Sequence, residues 1–421
     1  METQISKGAH ARLLTLACAV LLGSGAAAEA EPAPSFLMLL QQARDAAPRL
    51  AESAANIQTA EGLALQATAR PNPAVSLELE NIGQNGGPNG LANMQTTLSV
   101  NQPIELGGKR SARISAGQAG VGAAQARNRQ IVIDFGYDLA VAYAGAEAAQ
   151  ARTVLLEDAV MAAQEDLRAA MVLVNAGREA DLRSVQAQSE AATAQADLEA
   201  ARAQAQNAFA QLANLAGASR PYTGVTPSLL PLAGNLPASS AEPPVSTPAI
   251  AAAEAERDAA ARRVDVERTR ATPDVTASLG LRRVEAFHDT LVVGGLSVPL
   301  PLFDKNRGNI AAALGQFSAA EARLNAARLE AENGYRAAQA QASAANARVA
   351  ASTQAQAAAE EAYRLARIGY DAGRTPLVEL LIARRNLTTS QSAALDARLA
   401  RLNAEAALAR LSGRIPFGEN P

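Results

Sequence analysis

The stretch GLSVPLPLFDKNRGNIAAA, Gly295 to Ala313, decides the fold, because TLSVNQPIELGGKRSARISA, Thr97 to Ala116, follows the same plan. Each is an alternating apolar and polar run, then proline, then a basic loop, then the start of a long alanine-rich helix. Setting Pro103 on Pro299 puts Lys109 on Lys305, Ile114 on Ile310, Gly177 on Gly373 and Gly217 on Gly413, all at one offset of 196. Upstream, Pro48 falls on Pro248, Arg70 on Arg270 and Pro73 on Pro273 at an offset of 200, so the second copy is four residues shorter between Pro73 and Pro103. Lys109 and Lys305 are the only lysines beyond the first ten residues. The chain therefore reads as a duplication: repeat one over 48–217, a Pro-rich equatorial linker over 218–247, and repeat two over 248–413. Repeats of this length make a doubled domain, not a solenoid of short units.

Composition limits what such a domain can be. With no Trp and 3% aromatic residues the chain cannot build an ordinary globular core, and with 48% apolar and 19% charged residues it is not a disordered one. Long alanine-rich helices packed closely side by side satisfy both limits. Residues 1–28 carry Lys7 and Arg12, the apolar run Leu13 to Leu22, and small residues up to a cleavage site near Ala28. That order predicts a signal peptide, the run being too short to span a membrane. Cys18 lies inside the run, so the mature chain has no cysteine. Thr15-Leu16-Ala17 before it is a poor lipid-attachment box. Without Glu2, Lys7 and Arg12 there remain 36 basic against 40 acidic residues, and no basic stripe that would favour nucleic acid.

In chain order, Ser35 is expected to cap a helix that runs past Leu50 to Ala67, broken or kinked at Pro48. VSLELE from Val75 and TTLSVNQ from Thr96 alternate as a hairpin with one apolar and one polar face, and VTASLGLRR from Val275 with LVVGGLSVPL from Leu291 repeats it. Strands of about 9 to 11 residues fit a tilted transmembrane barrel, and equally a small soluble β-subdomain with one wet face. The helices discriminate better. Gly108 to Asn175 contains no proline and spans about 100 Å at 1.5 Å per residue. It turns at Asn175-Ala176-Gly177-Arg178 and returns from near Asp181, with an acidic first turn, to Leu215. The second copy runs from about Asn306 to Asp371, turns at Ala372-Gly373-Arg374, restarts with Thr375 as N-cap and Pro376 as first helical residue, and returns to Leu411. The first return and the later helix ending at Arg270 should lie end to end beside the long helix. Val225, Leu229, Leu230, Leu232 and Leu236 make the excursion between them apolar enough to pack as a belt.

Four strands cannot close a barrel, and open edges are not tolerated in lipid. Three copies would give twelve strands and a tube continuing about 100 Å beyond them by the helix rise. The paired hairpins, the QPIELGGKR and VPLPLFDKNRG junctions, the AGR turns and the segment GYDAGRTPLVELLIARRN resemble the TolC family of outer-membrane efflux channels, most of all its CzcC-like cation-efflux branch, over nearly the whole of residues 29–421. The resemblance implies a mainly α fold with a small β part: a trimer, a 12-stranded barrel in the outer membrane and a long antiparallel α-helical barrel in the periplasm. It implies docking on a periplasmic adaptor fed by an inner-membrane RND pump, with divalent metal cations as cargo; channels for drug efflux or type I secretion share the architecture. Many relatives carry a lipid-bearing Cys that this chain lacks, and the aromatic girdle is reduced to Phe287 and Phe303.

Other function classes fit less well. An adaptor would have one helical hairpin flanked by lipoyl-like half-motifs, and a coiled-coil scaffold or adhesin would need no strand hairpins at equivalent places. The mature chain has one histidine, His288, and no HExxH, Walker or GxSxG pattern, which leaves catalysis, cofactor binding and metal ligation without residues. His288 and the Asn85 to Asn93 loop are expected at the cell surface. At the opposite end Gly177, Arg178, Gly373 and Arg374 are candidates for adaptor docking, and the resemblance makes Asp181 and Asp371 the candidate gate. Lys109 and Lys305 sit where a helix dipole disfavours a cation, so lipid phosphates at the membrane interface or a neighbouring chain should hold them.

Overall fold

The computed structural model of the chain describes residues 31–82, 93–232 and 246–418. The expected signal segment 1–28, Leu236 and all of the Asn85 to Asn93 loop except Asn93 lie outside the described residues. The elements are α1 (Phe36–Ala46), α2 (Pro48–Thr68), β1 (Ala74–Glu80), β2 (Gln95–Ile104), α3 (Lys109–Asn175), α4 (Leu182–Ala216), a short 3-10 turn (Leu230–Leu232), α5 (Pro248–Arg270), β3 (Val275–Val284), β4 (Asp289–Ser297), α6 (Arg307–Asp371) and α7 (Leu377–Leu411). Pro48 opens a new helix, as the fixed φ and missing N–H of proline favour at a first helical position. Ser35 makes no side-chain cap; the Ser228 hydroxyl from the linker accepts from Phe36 N instead, at 3.3 Å.

The four strands form one antiparallel sheet in the order β1-β2-β3-β4. β1 has 7 residues, shorter than expected, while β2, β3 and β4 have 10, 10 and 9. Register puts Leu77, Leu98, Leu281 and Val292 in one row and Val75, Val100 and Leu279 in the next, an apolar face with no protein over it. The other face carries Ser76 bonded to Ser99 at 2.8 Å, Asn101 donating to Ser76 at 2.9 Å, and Arg282 donating to Thr97 at 2.9 Å. β4 departs from this pattern, since Leu291 and Val293 bring apolar side chains to the polar face.

Register also corrects the sequence match. Ser76 lies opposite Ser99, and Thr276 opposite Ser297, so with β1 moved onto β3 by 200 residues Ser99 falls on Ser297, an offset of 198 and not 196. The left-handed residue before each long helix agrees, Gly108 at φ 75° and Asn306 at φ 56°. The first helical residue matching Lys109 is therefore Arg307, not Lys305. Alternation cannot detect such an error, because a two-residue slip leaves every side chain on the same face.

The long helices α3 and α6 have 67 and 65 residues, about 100 Å each by helix rise. The end-to-end partners differ from those expected. A Cβ on Gly217 would lie 2.5 Å from the Ala46 carbonyl oxygen, and one on Gly413 would lie 2.9 Å from Pro248, so α4 abuts the α1–α2 junction and α7 abuts α5. α5 belongs to the second repeat: it packs against α3 and α6, and makes no comparable contact with α4. α3 is flanked by α2 and α4 on one side and by α5 and α7 on the other, whereas among the described residues α6 packs chiefly against α5 and α7.

The main core sits at the equator, where α1, α3, α4 and the linker meet around Phe36, Leu39, Phe135, Leu139, Tyr143, Leu212 and Leu229. The described part of the linker packs as a belt: Val225 and Leu229 are buried, Leu230 is partly so, and Leu232 faces out.

Candidate functional site

Three stations along the helices carry the side chains that bear on function: the tips, the equator and the strand–helix junction. At the tips, Gly177 and Gly373 have φ of +67° and +69°. Arg178 N donates to Leu173 O at 3.0 Å and Gly177 N to Val174 O at 2.9 Å; Arg374 N to Gly369 O and Gly373 N to Tyr370 O repeat this at 2.8 Å each. This is the paired reversal that ends a helix on a left-handed residue. Nothing lies within 4 Å of a Cβ at either glycine, so backbone conformation alone calls for glycine there. Arg178, Arg374, Asp181 and Asp371 are all exposed at this end. In one protomer neither acid bridges to Arg178 or Arg374; Arg183 pairs with Glu179 at 3.6 Å.

Two local expectations change here. Asp181 is the residue before α4, in helical conformation with no side-chain cap, and no acid lies in the first turn of α4. Pro376 takes the cap position of α7, while Thr375 lies against Gly369, where a Cβ would meet its Oγ1 at 2.1 Å.

Below the tips the two hairpins are stitched together by groups the sequence reading passed over. Arg384 of α7, 8% exposed, pairs with Asp166 of α3, and Arg385 pairs with Glu190 of α4. Leu377, Leu380 and Leu381 pack with Ala170 and Ala187 beside them. Burial pushes the Asp166 carboxyl above its ordinary range, with Arg384 and then Arg367 pulling it back and Glu165 adding to the rise. Burial likewise raises the Tyr370 phenol, helped by Glu179, Asp166 and Asp371 and opposed by Arg183. The only sequence signal was the ARR within the GYDAGRTPLVELLIARRN segment.

At the equator Tyr143, Glu147 and Gln150 share one face of α3. The Tyr143 hydroxyl donates to the Pro34 carbonyl at 2.8 Å and also lies against that of Thr226. Glu147, 2% exposed, accepts from the backbone N–H groups of Ser228, Leu229 and Leu230, and Gln150 accepts from Val225 N at 2.8 Å. Burial raises the Glu147 carboxyl, although those three N–H groups favour its charge.

At the junction the lysines part company. Lys109 Nζ reaches Asp274 Oδ1 at 2.8 Å with only 14% of its side chain exposed, and the same oxygen accepts from Leu106 N at 3.2 Å. The partner expected from lipid or a neighbouring chain is an acid of the other repeat of its own chain. Lys305 is exposed, two residues after Phe303, which is 100% exposed. Phe287, 76% exposed, lies at the other end of the strands, in the β3–β4 turn. Among the described residues no group of three or more His, Cys, Asp or Glu is placed to hold a metal ion, and no helix is long and apolar enough to cross a membrane.

An uncovered apolar sheet face, a polar reverse face and helices reaching about 100 Å beyond define the subunit of a barrel-and-tube membrane channel. The outer membrane efflux protein family model matches residues 39–218 and 245–414. The chain is 46% identical over 398 residues to the nickel and cobalt resistance protein CnrC of Cupriavidus metallidurans, covering 94% of each. It is 42% identical over 410 residues to the nickel-cobalt-cadmium resistance protein NccC of Alcaligenes xylosoxydans xylosoxydans, covering 96% of this chain and 92% of that one. With the cobalt-zinc-cadmium resistance protein CzcC of Cupriavidus metallidurans it shares 30% over 347 residues, 80% of each. The fold matches the outer membrane protein VceC of Vibrio cholerae with a TM-score of 0.73 at 23% identity, over 90% of this chain and 96% of that one. The chain belongs to the outer membrane efflux protein family, which places it in the outer membrane.

Proposed function

We propose that this chain is the outer-membrane conduit of a tripartite exporter, carrying divalent metal cations from an inner-membrane RND pump and periplasmic adaptor to the exterior, with no catalysis of its own. The observation that carries the channel reading is that the protomer is open along both edges: β1 and β4 are each paired on one side only, and α6 is packed on one flank where α3 is packed on both. Only further copies satisfy such edges in lipid. Two would make eight strands, whose interior side chains fill; three, with twelve, are the smallest ring that leaves a lumen. The cargo reading rests on the names of the three sequence relatives.

Within this reading Gly177, Arg178, Gly373 and Arg374 form the adaptor-docking rim, and Asp181 and Asp371 the gate. Their exposure at the far end of the helices supports the assignment. Because the acids make no bridge to Arg178 or Arg374 inside one protomer, bridges that narrow the mouth would run between copies. Lys305 with Phe303 anchors the membrane interface, a role Lys109 gives up to its own Asp274. Cations pass hydrated, their selection lying upstream.

Deleting the gene and restoring it on a plasmid tests the whole. Loss of tolerance to nickel, cobalt, cadmium or zinc, without loss of drug tolerance, is expected. The reverse pattern would move the cargo to drugs, and no change in either would refute the exporter.

A further inference from the structure

We infer that the two open sheet edges join copies of this chain in one specified register, β4 against β1 of a second copy, with Ser297 opposite Glu80 and Leu300 opposite Leu77. This rests on the ring-closing reading above and adds to it the residues that meet.

The β2–β3 pairing joins the two hairpins within the chain and so samples the seam that would close the ring. That seam sets Ser99 opposite Gly280, Val100 opposite Leu279 and Ile104 opposite Val275. β2 moves onto β4 by the 198 residues fixed by hairpin register and by the left-handed residue before each helix. β3 moves back onto β1 by the 200 residues of the Pro73 and Pro273 match. The intramolecular pairs then become Ser297 with Glu80, Val298 with Leu79, and Leu302 with Val75 of the second copy. On the outer face each apolar side chain of one edge meets an apolar side chain of the other. These residues, with Leu300 and Leu77, are 46 to 72% exposed in the protomer. The seam runs past Ser297, the last β4 residue paired with β3, as β2 runs on to Ile104 past Asn101, its last residue paired with β1.

Pro299 and Pro301 look like obstacles, because proline on an edge blocks strand addition. Phase removes the objection. Pro103 lies opposite Thr276 without an N–H to give, so that pair is a non-hydrogen-bonded one, and the nitrogen side of Pro103 turns toward the β1 side. An even offset preserves phase, so Pro299 and Pro301 turn their nitrogens toward β3. The outer edge of β4 keeps its donors.

Slips by two residues would preserve the apolar face, so the register needs a distance measurement. In a full-length Cys18→Ser chain, Ser297→Cys is combined in turn with Glu80→Cys, Glu78→Cys or Ser76→Cys, and outer membranes are oxidised before non-reducing electrophoresis. Directly opposite Cβ atoms are about 4.5–5.5 Å apart and diagonal ones about 7–8 Å, so only the true pair closes efficiently. The Ser297 and Glu80 pair should give several-fold more intermolecular disulfide than either other pair. Dominance of the Glu78 or Ser76 pair, or no disulfide in a chain that still forms its oligomer, overturns the register while leaving ring closure standing. A monomer throughout overturns ring closure itself.

Discussion

Gly177 and Gly217 both lie at positive φ, +67° and +75°, past the end of a long helix, but their surroundings differ. Around Gly177 the space is open, so Gly177→Ala meets only the left-handed penalty of about 1–2 kcal/mol. At Gly217 the added methyl would also press on the Ala46 carbonyl, a backbone atom that cannot swing away. Gly217→Ala is therefore expected to lower the melting temperature of the detergent-solubilised protein more than Gly177→Ala, followed by circular dichroism. Equal melting temperatures would refute the abutting contact. The sequence made both glycines visible as helix ends, since leucine or alanine before glycine after a long periodic run is a local signal. It could not show that Gly217 is also a splice, because Ala46 is remote in sequence and no periodicity links the two. Asp274 escaped for the same reason: a partner for Lys109 that comes from the other repeat leaves no mark near Lys109.

The helices and strands themselves were legible, because lengths without proline, alternation and glycine stops are properties of the segment that shows them. What holds one element to another was not. Glu147 sits in an alanine-rich helix like any solvated acid, and only the fold brings three N–H groups of the linker onto it. Glu147→Ala leaves those buried donors unpaired at about 1–3 kcal/mol each, so the belt should loosen while the long helices persist. Faster proteolysis within residues 222–232 at unchanged helical content is the expected result. Glu147→Gln retains an acceptor and should cost less. Its effect depends on pH with a definite sign. A carboxyl whose folded pKa is raised contributes stability below its ordinary range and loses it as pH rises through the raised value. The glutamine does not titrate, so the melting temperature of the variant relative to the parent should rise from acid to neutral pH. A difference constant with pH would show that Glu147 does not titrate abnormally. Below the tips, Arg384→Ala leaves the half-buried Asp166 without its partner and should cost about 1–3 kcal/mol, with Asp166→Ala in the same chain recovering part of it. A double-mutant cycle in urea measures that coupling, and strict additivity would refute it.

In the whole molecule, the duplication gives the chain two nearly equivalent halves, and the departures from that equivalence distinguish seams within a chain from seams between chains. Inside the chain the β2–β3 seam ends in a latch, Lys109 on Asp274, at the start of α3. The counterpart of Asp274 in the first repeat is Ala74, and the counterpart of Lys109 as first helical residue of α6 is Arg307. In a closed ring of the proposed register, each seam between copies would thus set a cation beside an alanine. Such seams lack a bond that the internal seams have, which leaves the assembled ring weakest where the copies meet. Replacing the alanine should install the missing bond: Ala74→Asp places a carboxylate opposite the start of α6 in the next copy. A partly buried pair of this kind is expected to contribute about 1 kcal/mol per seam, more than an exposed one, and the same seam recurs around the ring. Ala74→Asp should therefore raise the temperature at which the oligomer dissociates in mild detergent. The gain should vanish in Ala74→Asp with Arg307→Ala and survive in Ala74→Asp with Lys305→Ala. If the gain depended on Lys305 instead, the two-residue correction between the repeats would be wrong; if Ala74→Asp weakened the oligomer in every background, the first repeat would not face the start of α6 at all.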